Sequence, residues 1–393
     1  MKKLLLLVLV CFIFSLCGCN NHISPEGGET LNIAEQDDLL DIDDGLFDDD
    51  EKFFIGSWLS YIELLPVGFD GKETSYRSYI KEIGERLRKY GVTDLFVQVR
   101  PFCDAIYVSD ISVTSAAVAG IQGGKLPFDF LSVIIEEMKS ININVHAWIN
   151  PLRVQSTFDI TKLSERNIAK KWYADKNGNV KEAAGGLYLN PASKDVHTLL
   201  CDTVKELLAS YDLKGIHIDD YFYPTDDVSF DESEYKAYKS AGGTLDLYSY
   251  RREVISALVK SLYTTVKSFG EDKVFSVSPS ADIQKNQNVL FADVKRWASE
   301  DGFCDMIIPQ IYFGFENESK PFYETACLWK ETVTNSSKLC AGLAVYKEGK
   351  EDCFAGKGKN EWVENNGIIS RQIECVKELG YSGISFYSVS YMN

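Results

Sequence analysis

Two adjacent carboxylates at the end of an apolar run are the residues of this sequence best suited to chemistry. Asp219 and Asp220 follow the run G-I-H-I, and three aromatic residues and Pro224 come after them. Burying two acids is costly unless the protein satisfies or uses them. Two carboxyl groups held close together push their pKa values apart, so that one can give a proton while the other stays negative. Such pairs can cleave glycosidic bonds.

The roles of the two acids follow from this chemistry. Glycoside cleavage needs one carboxyl group to protonate the leaving oxygen and usually a second as nucleophile or base. We expect Asp219 to be the nucleophile or stabilising carboxylate and Asp220 to be its catalytic partner. Neighbours on a strand point to opposite faces, so the alternative for Asp220 is to hold a loop. Other acids that remain open for the second role are Asp104, Asp282, Glu316 and Glu63.

Alternating strand-like and helix-like segments must position these acids. From residue 53 onward, about eight apolar runs alternate with about seven helical patterns. The predicted strands are 53–64, 94–101, 143–151, 215–221, 274–280, 305–313, 339–346 and 383–390, and the predicted helices are 76–90, 128–140, 195–211, 248–269, 291–299, 322–332 and 368–379. This order predicts a single (β/α)8 barrel of the TIM type with long βα loops. A doubly wound open sheet is the alternative, but it would want a glycine-rich phosphate turn after an early strand, and none is present.

Polar and aromatic side chains interrupt the predicted strands near their carboxyl ends, where barrel enzymes build active sites. Strict alternation places Gln98 and Arg100 on one face, and His217 and Asp219 on one face. His146, Trp148 and Asn150 would likewise share a face, although simple core packing is the alternative for each aromatic ring. We expect hydrogen bonds to sugar hydroxyls or an acidic sugar group from Arg100, His146, Asn150, Gln310 and Tyr312, ring stacking from Trp58, Trp148, Tyr107 and Tyr387, and further substrate contacts from His217 and Tyr221.

Several long motifs resemble those of a known family. The runs F-V-Q-V-R-P-F-C-D-A-I-Y, H-A-W-I-N-P-L-R-V, Y-L-N-P-A, G-I-H-I-D-D-Y-F-Y-P, S-V-S-P and I-I-P-Q-I-Y-F occur in this order. They resemble the bacterial glycosyl hydrolase-like 10 family over almost everything from residue 53 to the C-terminus. The resemblance implies a (β/α)8 barrel and glycoside hydrolysis, and lipoproteins are common among its members.

The strand G-I-H-I-D-D also resembles the fourth strand of two better-understood groups of barrel glycosidases. In the α-amylase-like group, a strand of the type G-F-R-I-D-A carries the nucleophile at the place of Asp219. In the chitinase-like group, a strand of the type G-V-D-I-D-W-E has an acid there, but its proton-donating Glu falls on Tyr221. That departure disfavours a chitinase-like mechanism.

The N-terminal segment resembles an export signal with a lipid anchor. Lys2 and Lys3 precede an apolar run that is too short to span a membrane, and L-C-G-C resembles the bacterial lipobox. We therefore predict a signal peptide over 1–19 with Cys19 as the lipidated residue, an acidic flexible tether over 20–52 and a catalytic domain over 53–393. Secretion with nearby cleavage is the alternative; either way the domain works outside the cytoplasm.

The charge and the cysteines exclude several classes of function. The net charge of −17 comes largely from 12 acids between residues 20 and 51, which leaves 46 acids and 39 bases for the rest without the two leader lysines. Nucleic acid is therefore not an expected partner. The seven cysteines beyond Cys19 are widely spaced and contain no C-x-x-C pair, which argues against a disulfide framework and a zinc site. We expect no metal and no cofactor.

These patterns predict a glycoside hydrolase that is anchored outside the bacterial cell membrane by its lipid alone and is a monomer. Peptidoglycan glycan strands are the expected substrate because a tethered enzyme meets the cell wall first, and an imported or host polysaccharide is the next choice. Two alternatives remain. One is a carbohydrate-binding lipoprotein without catalysis, and the other is a metal-dependent polysaccharide deacetylase, which the presence of only four histidines disfavours.

Overall fold

Eight parallel strands form a closed barrel in the computed structural model, which describes residues 53–392. Around the barrel the strands follow the order β1-β11-β10-β9-β8-β7-β3-β2. Their bounds are Phe54–Leu59 (β1), Asp94–Arg100 (β2), Asn144–Ile149 (β3), Gly215–Ile218 (β7), Val274–Val277 (β8), Met306–Ile307 (β9), Lys338–Leu343 (β10) and Gly383–Phe386 (β11). The predicted (β/α)8 barrel is therefore confirmed.

The strands divide the core into an inner and an outer layer. Outward-facing aliphatic side chains such as Val97 and Ile216 pack against the helices in one large cluster. Inside the barrel, Trp58, Phe96, Trp148, Met306, Ile308 and Cys340 form a separate buried cluster. This arrangement follows from the period of two along each strand, because successive side chains leave the sheet on opposite faces.

Helices cover the outside of the barrel because each has one apolar face. In the first helix, Tyr76, Ile80, Ile83 and Leu87 are all buried at helical spacing. The helices are Glu73–Lys89 (α1), Ala116–Ala119 (α2), Phe130–Lys139 (α3), Ile168–Ala174 (α4), Lys194–Ser210 (α5), Glu232–Ser240 (α6), Leu247–Lys267 (α7), Ile283–Asn288 (α8), Val294–Trp297 (α9), Phe322–Thr332 (α10), Glu361–Glu364 (α11) and Ile368–Glu378 (α12). Short 3-10 helices lie at Ile160–Lys162, Val345–Lys347, Gly356–Asn360 and Val389–Tyr391.

Specific residues mark the ends of two helices, a glycine after α1 and a serine before α5. Gly91 follows α1 with a φ of 66°, a conformation that glycine adopts without a steric cost. Ser193 precedes α5, and its hydroxyl accepts a hydrogen bond from the backbone N–H of Val196. Ser193 therefore caps α5, which leads the chain into β7.

The long βα loop after β3 contains structure that was not predicted. A three-stranded antiparallel sheet of the order β4-β6-β5 lies there, built from Arg153–Gln155 (β4), Val180–Ala183 (β5) and Gly186–Leu189 (β6). The strand β9 is also much shorter than predicted. Pro309 follows it, and beyond that proline only isolated bridges join Gln310 to Ser280 and Gly342.

Some predictions fall on residues that the structure does not describe. The signal peptide, the lipobox with Cys19 and the tether over 20–52 all lie outside residues 53–392 and stay predictions. Within those residues no helix has the length and apolar character required for a membrane span. The cysteines of this part of the chain are free thiols, three of them buried.

Candidate functional site

The fourth barrel strand delivers Asp219 and Asp220 to the carboxyl end of the barrel. Strand β7 ends at Ile218, and its hydrogen-bonded neighbours are β3 and β8. The register pairs Trp148 with His217 and Ile149 with Ile218. The residues that follow β3 therefore lie beside those that follow β7, and the predicted acids stand where barrel enzymes place their chemistry.

Trp148 of β3 and Asn150, which follows that strand, contact Asp219 from below. The indole Nε1 of Trp148 donates a hydrogen bond of 2.9 Å to Oδ2 of Asp219, and Nδ2 of Asn150 lies 3.4 Å from the same oxygen. The predicted shared face of Trp148 and Asn150 is thus confirmed. Asp219 is only 4% exposed. Burial and the neighbouring Asp220 raise the pKa of Asp219 to about 7, against the opposing effect of the Trp148 hydrogen bond.

Asp220 faces a cavity of about 390 Å³ that opens between the ends of β7, β8, β9 and β10. Gln310, Tyr312 and Lys285 line the same cavity. Burial raises the pKa of Asp220, while the positive charge of Lys285 and a hydrogen bond from Gln310 oppose that rise. A larger depression of about 560 Å³ lies on the outer surface between α5 and α7 and contains none of the predicted site residues.

Aromatic rings form one wall and the floor of the site. The ring centroid of Tyr387 lies 5.8 Å from that of Tyr312, 6.0 Å from that of Tyr346 and 6.1 Å from that of Trp58. Tyr312, Tyr346 and Tyr387 are partly exposed, whereas Trp58 is 2% exposed beneath them. Burial raises the pKa values of Tyr312 and Tyr387, so both hydroxyls keep their protons at neutral pH. Rings of this kind offer both stacking faces and hydroxyl donors to a sugar.

His217 lies inside the barrel below this floor. Its Nε2 accepts a hydrogen bond of 3.0 Å from Nε1 of Trp58, so the ring proton is on Nδ1, which lies 2.8 Å from Oγ of Ser276. Burial lowers the pKa of His217 well below its ordinary value, and the imidazole stays neutral. With no exposed surface and both ring nitrogens engaged, His217 positions Trp58. The predicted contact between His217 and substrate has no support in this geometry.

His146 and Arg100 bind groups other than the two acids, although both were predicted to bind substrate. Nε2 of His146 lies 2.8 Å from Oδ1 of Asp94, at the opposite end of the barrel strands. The pairing of β2 with β3 shifts register between Gln98 and Arg100, which interrupts the assumed alternation. Arg100 is 1% exposed, and its guanidinium donates to the backbone oxygen of Asn150 at 2.7 Å. Arg100 therefore supports the loop that carries Asn150.

The other acids that the sequence left open are engaged elsewhere. Glu63 accepts hydrogen bonds from Ser60, Ser388 and Ser390 and ties the first loop to the C-terminal turn. Asp282 caps α8 and forms an ion pair of 3.0 Å with Lys320. Asp104 is 2% exposed and accepts a hydrogen bond from Gln122, and Glu316 is exposed outside the cavity lining. Of these acids only Asp282 reaches the cavity that Asp220 lines.

Two cations at the site were missed by the sequence analysis. Arg153 begins β4, and its backbone N–H donates to Oδ1 of Asn150 at 3.1 Å. Its guanidinium carbon lies 4.6 Å from the centroid of the Tyr221 ring, which places the charge beside the two acids. Lys285 comes from the first turn of α8. Neither residue belongs to a barrel strand, whereas the predicted site residues were chosen mainly from side chains within those strands.

The structure thus brings together most of the predicted site residues around Asp219 and Asp220. Trp148, Asn150, Tyr221, Gln310, Tyr312 and Tyr387 border the acids, with Trp58 and His217 beneath them. Across residues 53–392, no group of three or more His, Cys, Asp or Glu side chains could hold a metal ion. The arrangement places two carboxyl groups, ring faces and two cations at the carboxyl end of the barrel, with Asp220 and Lys285 lining the cavity.

Comparison with curated proteins finds relatives along most of the chain. The chain is 30% identical over 325 residues to the glycosyl hydrolase YngK of Bacillus subtilis, a match that covers 77% of this chain and 61% of that protein. It is 26% identical over 336 residues to the glycosyl hydrolase DigH of Escherichia coli K12, which covers 79% of this chain and 74% of that protein. The match thus spans less than two thirds of the length of YngK.

A solved structure supports the fold, and a family model supports the relationship. The glycoside hydrolase domain of PgaB from Bordetella bronchiseptica superposes with a TM-score of 0.56 at 10% identity, covering 87% of this chain and 95% of that domain. At that identity the likeness concerns the barrel alone. The model of the family described as glycosyl hydrolase-like 10 matches residues 58–362, a range that holds both acids and the cavity. The chain therefore belongs to the glycosyl hydrolase-like 10 family.

Proposed function

We propose that this protein is a glycoside hydrolase that cleaves an extracytoplasmic glycan, with the glycan strands of peptidoglycan as the favoured substrate. The observation that carries the proposal is the adjacent pair Asp219 and Asp220 at the mouth of the barrel, one with a pKa near 7 and the other lining a cavity. A carboxyl group that is still partly protonated at neutral pH can give its proton to a leaving oxygen.

The environment of each acid supports a division of roles. In this proposal Asp219 is the proton donor, because its raised pKa suits an acid better than the nucleophile that the sequence analysis expected. Asp220 is the carboxylate in this proposal, because the positive charge of Lys285 and the hydrogen bond from Gln310 favour its ionised form and oppose the rise in pKa that burial causes; its negative charge would stabilise a positively charged sugar ring or activate water. Tyr312 and Tyr387 would contact the sugar through their rings and hydroxyls.

The place of action rests on the N-terminal sequence. The lipobox-like run ending at Cys19 supports a lipid anchor on the outer side of the cell membrane, and the acidic residues after it support a tether that reaches the cell wall. Peptidoglycan would then be the glycan nearest to the anchored protein. Membrane fractionation of the protein tests this anchor.

The proposal is tested by incubating the full-length protein, purified in detergent, with peptidoglycan glycan strands, both intact and stripped of stem peptides, and with a panel of polysaccharides. Products are identified by mass spectrometry beside the Asp219→Asn and Asp220→Asn variants. We expect new reducing ends from the wild type, and a loss of roughly 100- to 10,000-fold in rate for Asp219→Asn. Retained binding without products on every glycan would instead support the carbohydrate-binding alternative.

A further inference from the structure

Arg153 stands beside the two acids with its side chain fixed and its charge unpaired. Its guanidinium carbon lies 4.7 Å from the ring centroid of Phe102 and 4.6 Å from that of Tyr221. Asn150 fixes its backbone, and pairing with Tyr188 of β6 fixes the start of β4. Two ring contacts and a held backbone leave the guanidinium few orientations, so its N–H donors are pre-organised.

The donors of this guanidinium find no protein partner. Within residues 53–392, no acceptor forms a hydrogen bond or ion pair with the Arg153 side chain, and Arg153 and both of its ring partners are partly exposed. Its positive charge opposes the rise that burial causes in the pKa values of both acids, but neither acid forms an ion pair with it. A fixed planar donor is not needed merely to offset the negative charge of the acids. A flexible lysine is enough for that, as Lys285 shows beside Asp220.

We propose that Arg153 binds a carboxylate carried by the glycan, so that the enzyme prefers an acidic sugar next to the bond that it cleaves. This inference rests on the proposed glycosidase function and names the class of its substrate. A planar guanidinium matches a carboxylate through two parallel N–H···O bonds, which a neutral hydroxyl group cannot reproduce. The aromatic contacts and the nearby acids keep Arg153 in place before the glycan arrives.

Two kinds of glycan carry such a group. Uronic acids bear the carboxylate on the sugar ring, and peptidoglycan strands without stem peptides bear it on a lactyl ether. A stem peptide converts that lactyl carboxylate into a neutral amide and would remove the partner of Arg153. The shared chemistry is a sugar carboxylate, and the substrate arms of the experiment distinguish the two sources.

The test compares glycans with and without the charge, using full-length protein in detergent. The substrates are stripped peptidoglycan strands and oligouronates, each used as the free acid and after coupling of the carboxyl groups to methylamine. For wild type we expect kcat/KM to fall roughly 10- to 100-fold when the carboxylates of the preferred glycan are amidated. For Arg153→Gln we expect kcat/KM on the acidic glycan to fall by the same factor, and kcat/KM on the amidated glycan to equal that of the wild type.

A matched control separates charge from position. Arg166 is exposed, donates to the backbone oxygen of Gly123 and does not line the cavity, so Arg166→Gln removes the same charge outside the site and should keep the wild-type preference. An equal loss for Arg153→Gln on acidic and amidated glycans would overturn the proposal, since Arg153 would then act on Asp219 and Asp220 instead. A wild type that cleaves amidated strands equally well would also overturn it.

A binding measurement keeps the inference separate from the proposed function. The wild type and Arg153→Gln are titrated with the same acidic and amidated oligosaccharides by calorimetry. If no glycan is cleaved, the glycosidase proposal fails, yet a preference for the acidic form that Arg153→Gln abolishes still supports the carboxylate site. If wild type binds both forms equally, the carboxylate site fails even where cleavage is observed.

Discussion

The chain that follows β7 builds two acidic sites from similar parts and leaves them in different states. In the first, Asp231 and Arg251 are both fully buried and form an ion pair of 2.6 Å. The hydroxyl of Tyr223 donates to Asp231 at 2.8 Å, and the carbonyl oxygens of Asp226 and Asp227 accept hydrogen bonds from Arg251. Every charge in this site has a protein partner, and the site fixes the long loop after β7 against α7.

The second site also contains acids, an arginine and aromatic rings. Within residues 53–392, however, its acids and its arginine form no ion pairs. Arg153 contacts two rings much as Arg251 contacts those of Tyr223 and Phe291, at 5.2 and 5.0 Å. Neither Asp219 nor Asp220 forms an ion pair with any cation of the described chain. Burial and the charge of Asp220 raise the pKa of Asp219 to about 7, and no ion pair among the described residues opposes that rise.

Because both sites contain the same residue types, residue type alone does not distinguish an acid that stabilises the fold from one that is available for chemistry. Burial with a matched cation stabilises the fold, whereas burial without one stores an unfavourable interaction that only a ligand or a proton can relieve. The Asp231 site should therefore affect stability when it is changed, and the Asp219 site should affect activity.

The largest expected effect on stability comes from Asp231→Asn. This change leaves the guanidinium of Arg251 buried without its carboxylate, which costs roughly 3–5 kcal/mol in the free energy of unfolding. Urea denaturation of the variant beside the wild type measures it. A loss below about 1 kcal/mol would contradict the structural role of the pair.

The opposite sign is expected for Asp219→Asn, and it depends on pH. Folding raises the pKa of Asp219 from 3.8 to about 7, so the wild type loses stability as the pH rises from 4 to 7, and the whole cost is present above pH 7. Asparagine keeps an acceptor for Trp148 and carries no charge. The variant should be more stable than the wild type at pH 8, by at most roughly 4 kcal/mol, and equal to it near pH 4.

Thermal unfolding across this pH range tests the prediction, with Asp231→Asn as the control that is destabilised at neutral pH. The same titration predicts that wild-type turnover falls above pH 7, because Asp219 then loses the proton that it would donate. A difference between wild type and Asp219→Asn that does not change with pH would contradict the raised pKa.

A smaller effect separates the tyrosines of the two sites. Tyr223→Phe removes the hydrogen bond to Asp231 and should cost about 1 kcal/mol in unfolding free energy. The hydroxyl of Tyr312 has no hydrogen-bond partner within residues 53–392, so Tyr312→Phe should change stability by less than about 0.5 kcal/mol while lowering turnover. Equal destabilisation by both changes would remove the distinction between the sites.

Most of the barrel could be predicted from the sequence because its strands are apolar runs separated by helical patterns with clear caps and stops. The small sheet β4-β5-β6 was missed, since its strands of three or four residues alternate polar and apolar side chains within a polar loop. The prediction for β9 was too long because I-I-P-Q-I-Y-F reads as one apolar run, whereas Pro309 ends the ladder.

The site was predictable in its acids and less so in its other members. Adjacent carboxylates after an apolar strand identify Asp219 and Asp220, and alternation along the third predicted strand identifies Trp148 and Asn150. The alternation of side chains along a strand does not tell how far a residue lies from the carboxyl end of the barrel. For that reason His146 was predicted to lie in the site. Whether a cation stays unpaired depends on contacts between distant loops, so nothing local to Arg153 indicated its role.

The most direct test of the account measures hydrolysis of the preferred glycan at pH 7 by wild type, Asp219→Asn and Asp231→Asn at equal concentrations of folded protein. We predict that Asp219→Asn is folded and nearly inactive, while the folded fraction of Asp231→Asn cleaves at close to the wild-type rate. Wild-type turnover by Asp219→Asn would contradict it, because the open acidic site would then carry no chemistry.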